Sequence, residues 1–297
     1  MTVSSPILRV ASNNRAIGLM LCAVVLFTAM DAVAKGLLQR YAIPQVIWAR
    51  FAGQLLVVVL ILRARTGPLL RTRYPKLHLA RCACQFGATA LFFASLGYIG
   101  LAEATALVDL NPVMIALGAA IFLGERLGPH RMLGVVAAMI GAMIIIRPGL
   151  GVFTPAALLP VGAAAFYTGN ALITRFIGQT ENAWTSMIYA SAFGAIVLTF
   201  VQPFVWVPIS GDDLVLYGLM GVLGTAAQLF LIRSFSSAEA SIVAPFGYLG
   251  TVIAAFWGMV LFAEYPDMWS AIGALVIIAA GLYVWHRETQ GGASAPQ

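Results

Sequence analysis

Three ionisable residues interrupt long apolar stretches of this chain, and their types complement one another. Asp31, Arg50 and Asp109 fall inside the runs 16–36, 44–62 and 102–123. A charged side chain near a bilayer centre costs about 2.5–3.5 kcal/mol on insertion scales, so such residues face a bundle interior and serve a function there. At the rise of an α-helix, all three lie roughly 9–11 Å inside the same membrane boundary. One base and two acids at a single depth fit three kinds of chemistry. They can pair to close a gate, seat the ammonium and carboxylate of a zwitterion, or take up protons for coupled transport. A structural ion pair that fixes helix packing is the plainer alternative. Lys35, one turn beyond Asp31, is expected to snorkel outward with Asp31 as a weak partner.

Further polar and aromatic residues share these helices. Gln85, Asn170 and Gln228 can contact a substrate or join helices, since amides in lipid seek partners. Phe27, Phe92, Tyr167 and Tyr248 can stack on a flat apolar group. Pro112 follows Asn111 in mid-helix, and Pro245 precedes Phe246-Gly247-Tyr248. Proline removes a backbone donor and frees a carbonyl, so both sites can open backbone polar groups to a cavity, with Pro112 and Gly247 as breaks. Two broken helices at corresponding positions are a pointer to a transport site. Nothing points to an enzyme: the chain has no phosphate-binding glycine loop, no metal-spaced histidine cluster and no nucleophile elbow. No cofactor, metal or nucleic acid is expected. His78, His130 and His286 read as headgroup contacts at helix ends, and Cys22, Cys82 and Cys84 as small hydrophobes.

The elements that carry these residues follow from composition. Of 297 residues, 61% are hydrophobic and 9% charged, with a mean hydropathy of +0.93; soluble domains carry about 25% charged residues. Lipid must therefore be the solvent for most of the surface, and closed backbone bonding in lipid demands helices. Ten runs are long enough: about 16–36, 44–62, 79–99, 102–123, 129–147, 155–175, 183–203, 212–234, 239–262 and 268–286. The expected fold is an all-α integral membrane protein of ten transmembrane helices, built as two inverted five-helix repeats. Its parts are an N-terminal segment 1–15, a first repeat 16–150, a second repeat 151–287 and a tail 288–297.

The repeats are visible in the residues. Ala102-Glu103-Ala104 opens a run ending in Gly124-Glu125-Arg126, and Ala238-Glu239-Ala240 opens one ending in Ala263-Glu264-Tyr265. Phe27-x-x-x-Asp31-Ala32 aligns with Phe166-x-x-x-Asn170-Ala171, and Arg50 falls opposite Tyr189. A five-helix unit, repeated, must enter the membrane from the opposite side the second time. Charge agrees. With both termini in the cytoplasm, that side holds Arg9, Arg15, the basic segment 63–81, Arg126, Arg131, Arg175, Arg233 and Arg287, against Lys35, Arg40 and Arg147 opposite. The counterpart of the basic segment, Gly211-Asp212-Asp213, is acidic.

These features resemble the drug/metabolite transporter superfamily and its EamA-type ten-helix members. The residues that carry the likeness are Ala104, Pro112, Leu123-Gly124-Glu125, Gly134 and Gly141, then Ala240, Ala263-Glu264 and Gly273, within a resemblance spanning 16–287. By overall look the chain is similar to bacterial exporters of aromatic amino acids. The resemblance implies a basket-like bundle with substrate between the halves, walled mainly by helices one, three, four, six, eight and nine. Helices five and ten would lie at the back, in a monomer or homodimer. Glu125 and Glu264 would end helices four and nine, although Tyr265 stands where Arg126 follows the first acid. The implied activity is gradient-driven export of small amphipathic metabolites from a bacterial-type inner membrane, amino acids with large apolar side chains foremost. A multidrug or cationic-metabolite exporter is the alternative within transport, and a lipid-modifying enzyme or assembly subunit the alternative outside it.

Overall fold

The computed structural model describes residues 6–63, 66–70, 72–111, 113–115, 117–118, 129–147, 155–177, 182–237 and 244–292. All regular structure among them is helical. The helices are α1 (Pro6–Leu38), α2 (Ile43–Leu62), α3 (Pro75–Leu96), α4 (Leu101–Val108), α5 (Pro129–Ile146), α6 (Leu158–Ile177), α7 (Ala183–Val205), α8 (Gly211–Ser237), α9 (Leu249–Phe262) and α10 (Met268–Gly292). A single turn, Thr66–Leu69, follows α2, and short 3-10 turns at Pro155–Ala157 and Ala244–Tyr248 precede α6 and α9.

Seven of these helices contain stretches long and apolar enough to cross a membrane alone. The exceptions are α4, α5 and α9. The run 102–123 is not one continuous α-helix. It stops at Val108, and Asp109–Leu110 form a turn before helical backbone resumes at 111. Chain chemistry accounts for the stop: a proline at position 112 has no N–H to offer the carbonyl four residues earlier. In the ninth run, Pro245 and Gly247 lie in the 3-10 turn and the α-helix begins only at Leu249. With 8 and 14 residues, α4 and α9 rise about 12 and 21 Å, short of a hydrocarbon core of about 30 Å. Irregular backbone at such depth is tolerated where protein or a cavity surrounds it.

The principal neighbours join early helices to late ones. α1 packs on α8 and α3 on α6; α2 packs on α8 and α3 on α7; α1 packs on α9 and α4 on α6. Three further pairs, α2–α7, α4–α9 and α5–α10, complete the set. Two of these contacts are made backbone to backbone. A Cβ added to Gly53 would lie 2.8 Å from the Gly221 Cα, and one on Gly273 would lie 2.7 Å from the Gly141 carbonyl oxygen. At the start of α10, Asp267 accepts from the Ser270 N–H at 2.7 Å and also takes the guanidinium of Arg147 beside α5.

An ion pair between a buried lysine and a half-buried glutamate ties three helices at one end of the bundle. Lys35 Nζ lies 2.6 Å from Glu264 Oε1 and donates to the Ile99 carbonyl at 2.8 Å. The other carboxylate oxygen accepts from the Leu101 N–H at 3.1 Å, serving one of the free donors at the start of α4. Glu264 is aimed this way by Ala263, whose left-handed backbone (φ 53°) lets the Glu264 N–H reach the Gly258 carbonyl. Lys35 therefore does not snorkel outward beside Asp31: only 7% of its side chain is exposed, because a distant acid and a loop carbonyl converge on it. The acid with no basic neighbour in sequence finds its partner on α1. Glu125, Arg126 and the segment Ala238-Glu239-Ala240 lie outside the described residues. One histidine differs from expectation: His78 is fully buried and stacked on Tyr189. His130 is exposed at the start of α5, where its Nδ1 shares a hydrogen bond with the Tyr283 hydroxyl at 2.8 Å.

Two tests follow from this packing. Gly221→Ala places a methyl against the Gly53 backbone and is expected to destabilise by about 1–3 kcal/mol. Gly218→Ala, on the same helix but facing open space, stabilises by about 0.5–1 kcal/mol. Thermal unfolding in detergent separates them, and equal shifts would refute the close crossing. For the ion pair, Lys35→Met and Glu264→Gln singly are expected to cost about 1–3 kcal/mol each, while the Lys35→Met/Glu264→Gln double variant costs less than their sum. Additive losses would mean that the pair carries no coupling.

Candidate functional site

A cavity of about 310 Å³ lies among α1, α2, α3, the end of α4, α6, α8 and the 3-10 turn before α9. Its residues arrive by helical spacing. Phe27 and Asp31 are one turn apart on α1, Gln85 and Phe92 two turns apart on α3, and Tyr167 and Asn170 one turn apart on α6, so each pair shares a face. Arg50 enters from α2, Gln228 from α8 and Gly247 from the 3-10 turn. Asp109 and Asn111 stand at the interruption that follows α4. The interruption matters here: it ends the helix where its last polar side chains meet the cavity.

Of the remaining candidates, Tyr248 does not line this space. It is buried, and its hydroxyl lies against Gly281 of α10, where any Cβ would collide with it. Pro245 contributes backbone to the 3-10 turn, and Pro112 is outside the described residues. Several wall residues escaped sequence reasoning. Thr28, Thr89 and Thr105 line the cavity; the first two lie within a turn of Asp31 and Gln85, a spacing that marks them as same-face neighbours. Thr251 was also missed, and it donates from Oγ1 to Asp109 Oδ2 at 2.6 Å. Residues of this kind carry no hydropathy signal strong enough to stand out.

The charges are arranged unequally. Asp109 is held by Thr251 and so joins the two broken helices. Arg50 is not paired within ion-pair distance to either acid among the described residues; its guanidinium lies 5.4 Å over the Phe93 ring and 6.0 Å from Phe51. Asp31 and Arg50 act on each other's charge through space. The expected contact pair is thus a separated one, with cavity between its members. Gln85 and Asn170 do bond, Nδ2 of Asn170 donating to Gln85 Oε1 at 3.1 Å. No cluster able to hold a metal ion occurs among the described residues.

A second hollow of about 460 Å³ lies beyond the Lys35–Glu264 pair, bordered by Gln39, Tyr98, Glu103 and Tyr265. Glu103 Oε1 accepts from the Ser270 hydroxyl at 2.6 Å. This end of the molecule is therefore polar and cross-linked, while the central cavity is mixed apolar and charged.

Comparison with known proteins agrees with this architecture. The EamA-like transporter family matches the chain twice, over residues 14–147 and 154–285. A riboflavin transporter of Rhizobium johnstonii is 30% identical over 278 residues, covering 91% of this chain and 90% of that protein. The pseudopaline exporter CntI of Pseudomonas aeruginosa is 27% identical over 86% of this chain and 90% of its own. An S-adenosylmethionine uptake transporter of Rickettsia felis is 27% identical over 92% of each. A solved crystal structure matches with a TM-score of 0.66 at 17% identity, over 93% of this chain and 98% of the other, a likeness of fold. The resemblance to EamA-type transporters read from the sequence is borne out, and the chain belongs to the EamA-like transporter family of multi-span membrane transporters, not to an enzyme family.

Proposed function

We propose that this secondary transporter exports small zwitterionic metabolites with a large apolar side, aromatic amino acids foremost, across a bacterial inner membrane. The observation that carries this reading is the central cavity, where Phe27, Phe92 and Tyr167 stand beside Asp31 and Arg50. Aromatic faces suit a flat side chain, and separated opposite charges suit an ammonium and a carboxylate. A volume of about 310 Å³ lies at the small end of ligand sites, about 300–1,000 Å³. An unpaired arginine disfavours a purely cationic drug as substrate.

Transport would proceed by alternating access between two inverted five-helix halves. Support comes from the neighbour pairs: adding five to each helix number exchanges α1–α8 with α6–α3, α2–α8 with α7–α3, and α1–α9 with α6–α4. Both termini would be cytoplasmic, as the basic segment 63–81 argues. An Asp212→Cys protein in intact cells should then react with an impermeant maleimide added outside; labelling restricted to inverted vesicles would overturn this orientation.

Riboflavin is the second reading, favoured by the 30% identity over 91% of the chain. Counterflow into liposomes decides between them. Saturable exchange of phenylalanine or tryptophan, with no acceleration by riboflavin, is the expected outcome. Riboflavin exchange without amino-acid exchange would replace the first reading with the second. Repeating the assay under an imposed pH gradient measures proton coupling directly.

A further inference from the structure

The cavity wall holds three polar atoms that are buried and make no hydrogen bond: Arg50 Nε, Asn111 Oδ1 and Asn170 Oδ1. Most buried polar groups in proteins are satisfied; other orphans lie on Arg81, Gln202, Tyr217, Tyr248 and Trp257, but these three belong to side chains that line one cavity and call for an explanation. Helix packing does not supply one here. The Asn170 amide already spends its donor on Gln85, which leaves the oxygen over. Arg50 is the more costly case, a guanidinium deep in the bundle whose nearest support is the Phe93 ring. Ring stacking offsets only part of the desolvation of such a cation.

Two other buried ions of the protein are closely partnered. Asp213, almost fully buried, accepts from Arg40, Tyr41 and Ser210 at 2.7–2.9 Å, and Lys35 has both Glu264 and a carbonyl. Arg50 stands apart from these two, on the wall of a cavity where a ligand has room to supply what is missing. The two acids also differ. Asp109 is occupied by Thr251 across the α4–α9 contact, whereas Asp31 has only the charge of Arg50 acting across the cavity.

We propose that Arg50 is the seat for an anionic group, a carboxylate or small phosphate, on the transported molecule. Asp31 seats its cationic or donor group, and Asp109 serves to hold the two broken helices together. This rests on the central cavity being the transport site, and it requires that the substrate carry an anion whatever its apolar part. Arg50 therefore sets the substrate class, and the aromatic wall selects within it.

The test is ligand-dependent melting and equilibrium binding of purified protein with five probes: phenylalanine, phenylpropionate, phenylethylamine, riboflavin and riboflavin phosphate. Arg50→Gln is expected to weaken every acid-bearing probe that the wild type binds by about ten- to a hundredfold. Phenylethylamine should change by less than about twofold, and Arg50→Lys should fall between. Asp31→Asn should weaken the amine-bearing probes selectively, and Asp109→Asn all probes alike. Empty Arg50→Gln protein should melt no lower than wild type, because no pair is broken. A lower melting temperature of the empty variant, equal losses across all probes, or a wild type that binds no acid-bearing probe would each overturn the proposal. Binding of phenylpropionate or riboflavin phosphate through Arg50, with phenylalanine ignored, would sink the amino-acid reading and leave this one standing.

Discussion

In hydrocarbon, every backbone N–H and C=O must find its partner within the protein, and much of this architecture follows from where that demand is met by something other than a continuous helix. α4 ends at Val108 and α9 starts only at Leu249, each too short to cross alone. Their loose ends are tolerable only where other helices shield them from lipid. α1, α6 and α10 pack around the α4–α9 pair, and the cavity opens on the side of the breaks that faces α1, α2, α3, α6 and α8. Asp109 sits at one loose end and Thr251 in the first turn of the other helix, and their hydrogen bond closes the gap between them. Helix breaks and cavity are one feature seen from two sides.

Charge is distributed on the same plan. Toward one end of the bundle, Asp213 gathers donors from the α1–α2 loop and from Ser210, and Glu264 gathers them from α1 and the start of α4. Such pairs specify which helices meet, since each ion accepts only the arrangement that satisfies it. Deeper in, the rule is relaxed. Arg50 rests on rings and faces an acid across open space. The contrast separates ions that organise the fold from ions that are available to something else.

What could be read from the sequence was what depends on one helix at a time. Apolar run length gave the helices, and rise per residue put Asp31, Arg50 and Asp109 at one depth; all three line one cavity. Same-face spacing brought Phe27 with Asp31 and Tyr167 with Asn170. Lys35 shows the limit. Its i,i+4 neighbour Asp31 was the local choice of partner, but the loop after α9 delivers Glu264 to it through a left-handed Ala263. No pattern in α1 encodes that turn. Tyr248 and His78 fail for a similar reason: which flank of a helix meets which neighbour is decided by the neighbour. Tyr248 is drawn to Gly281 because the glycine leaves room for its hydroxyl.

The glycine crossings carry a mechanical consequence. Interlocked side chains behave like gear teeth, and altering the angle between two such helices forces each tooth to unseat into another rotamer. Where Gly53 meets Gly221, neither helix presents a side chain to the other and backbone rests on backbone. The α5–α10 crossing keeps its teeth: Ile277 fills the space beside Gly141 and Ile145 the space beside Gly273. A change of angle at α2–α8 therefore unseats no side chain at the point of closest approach, whereas α5–α10 is keyed in one setting.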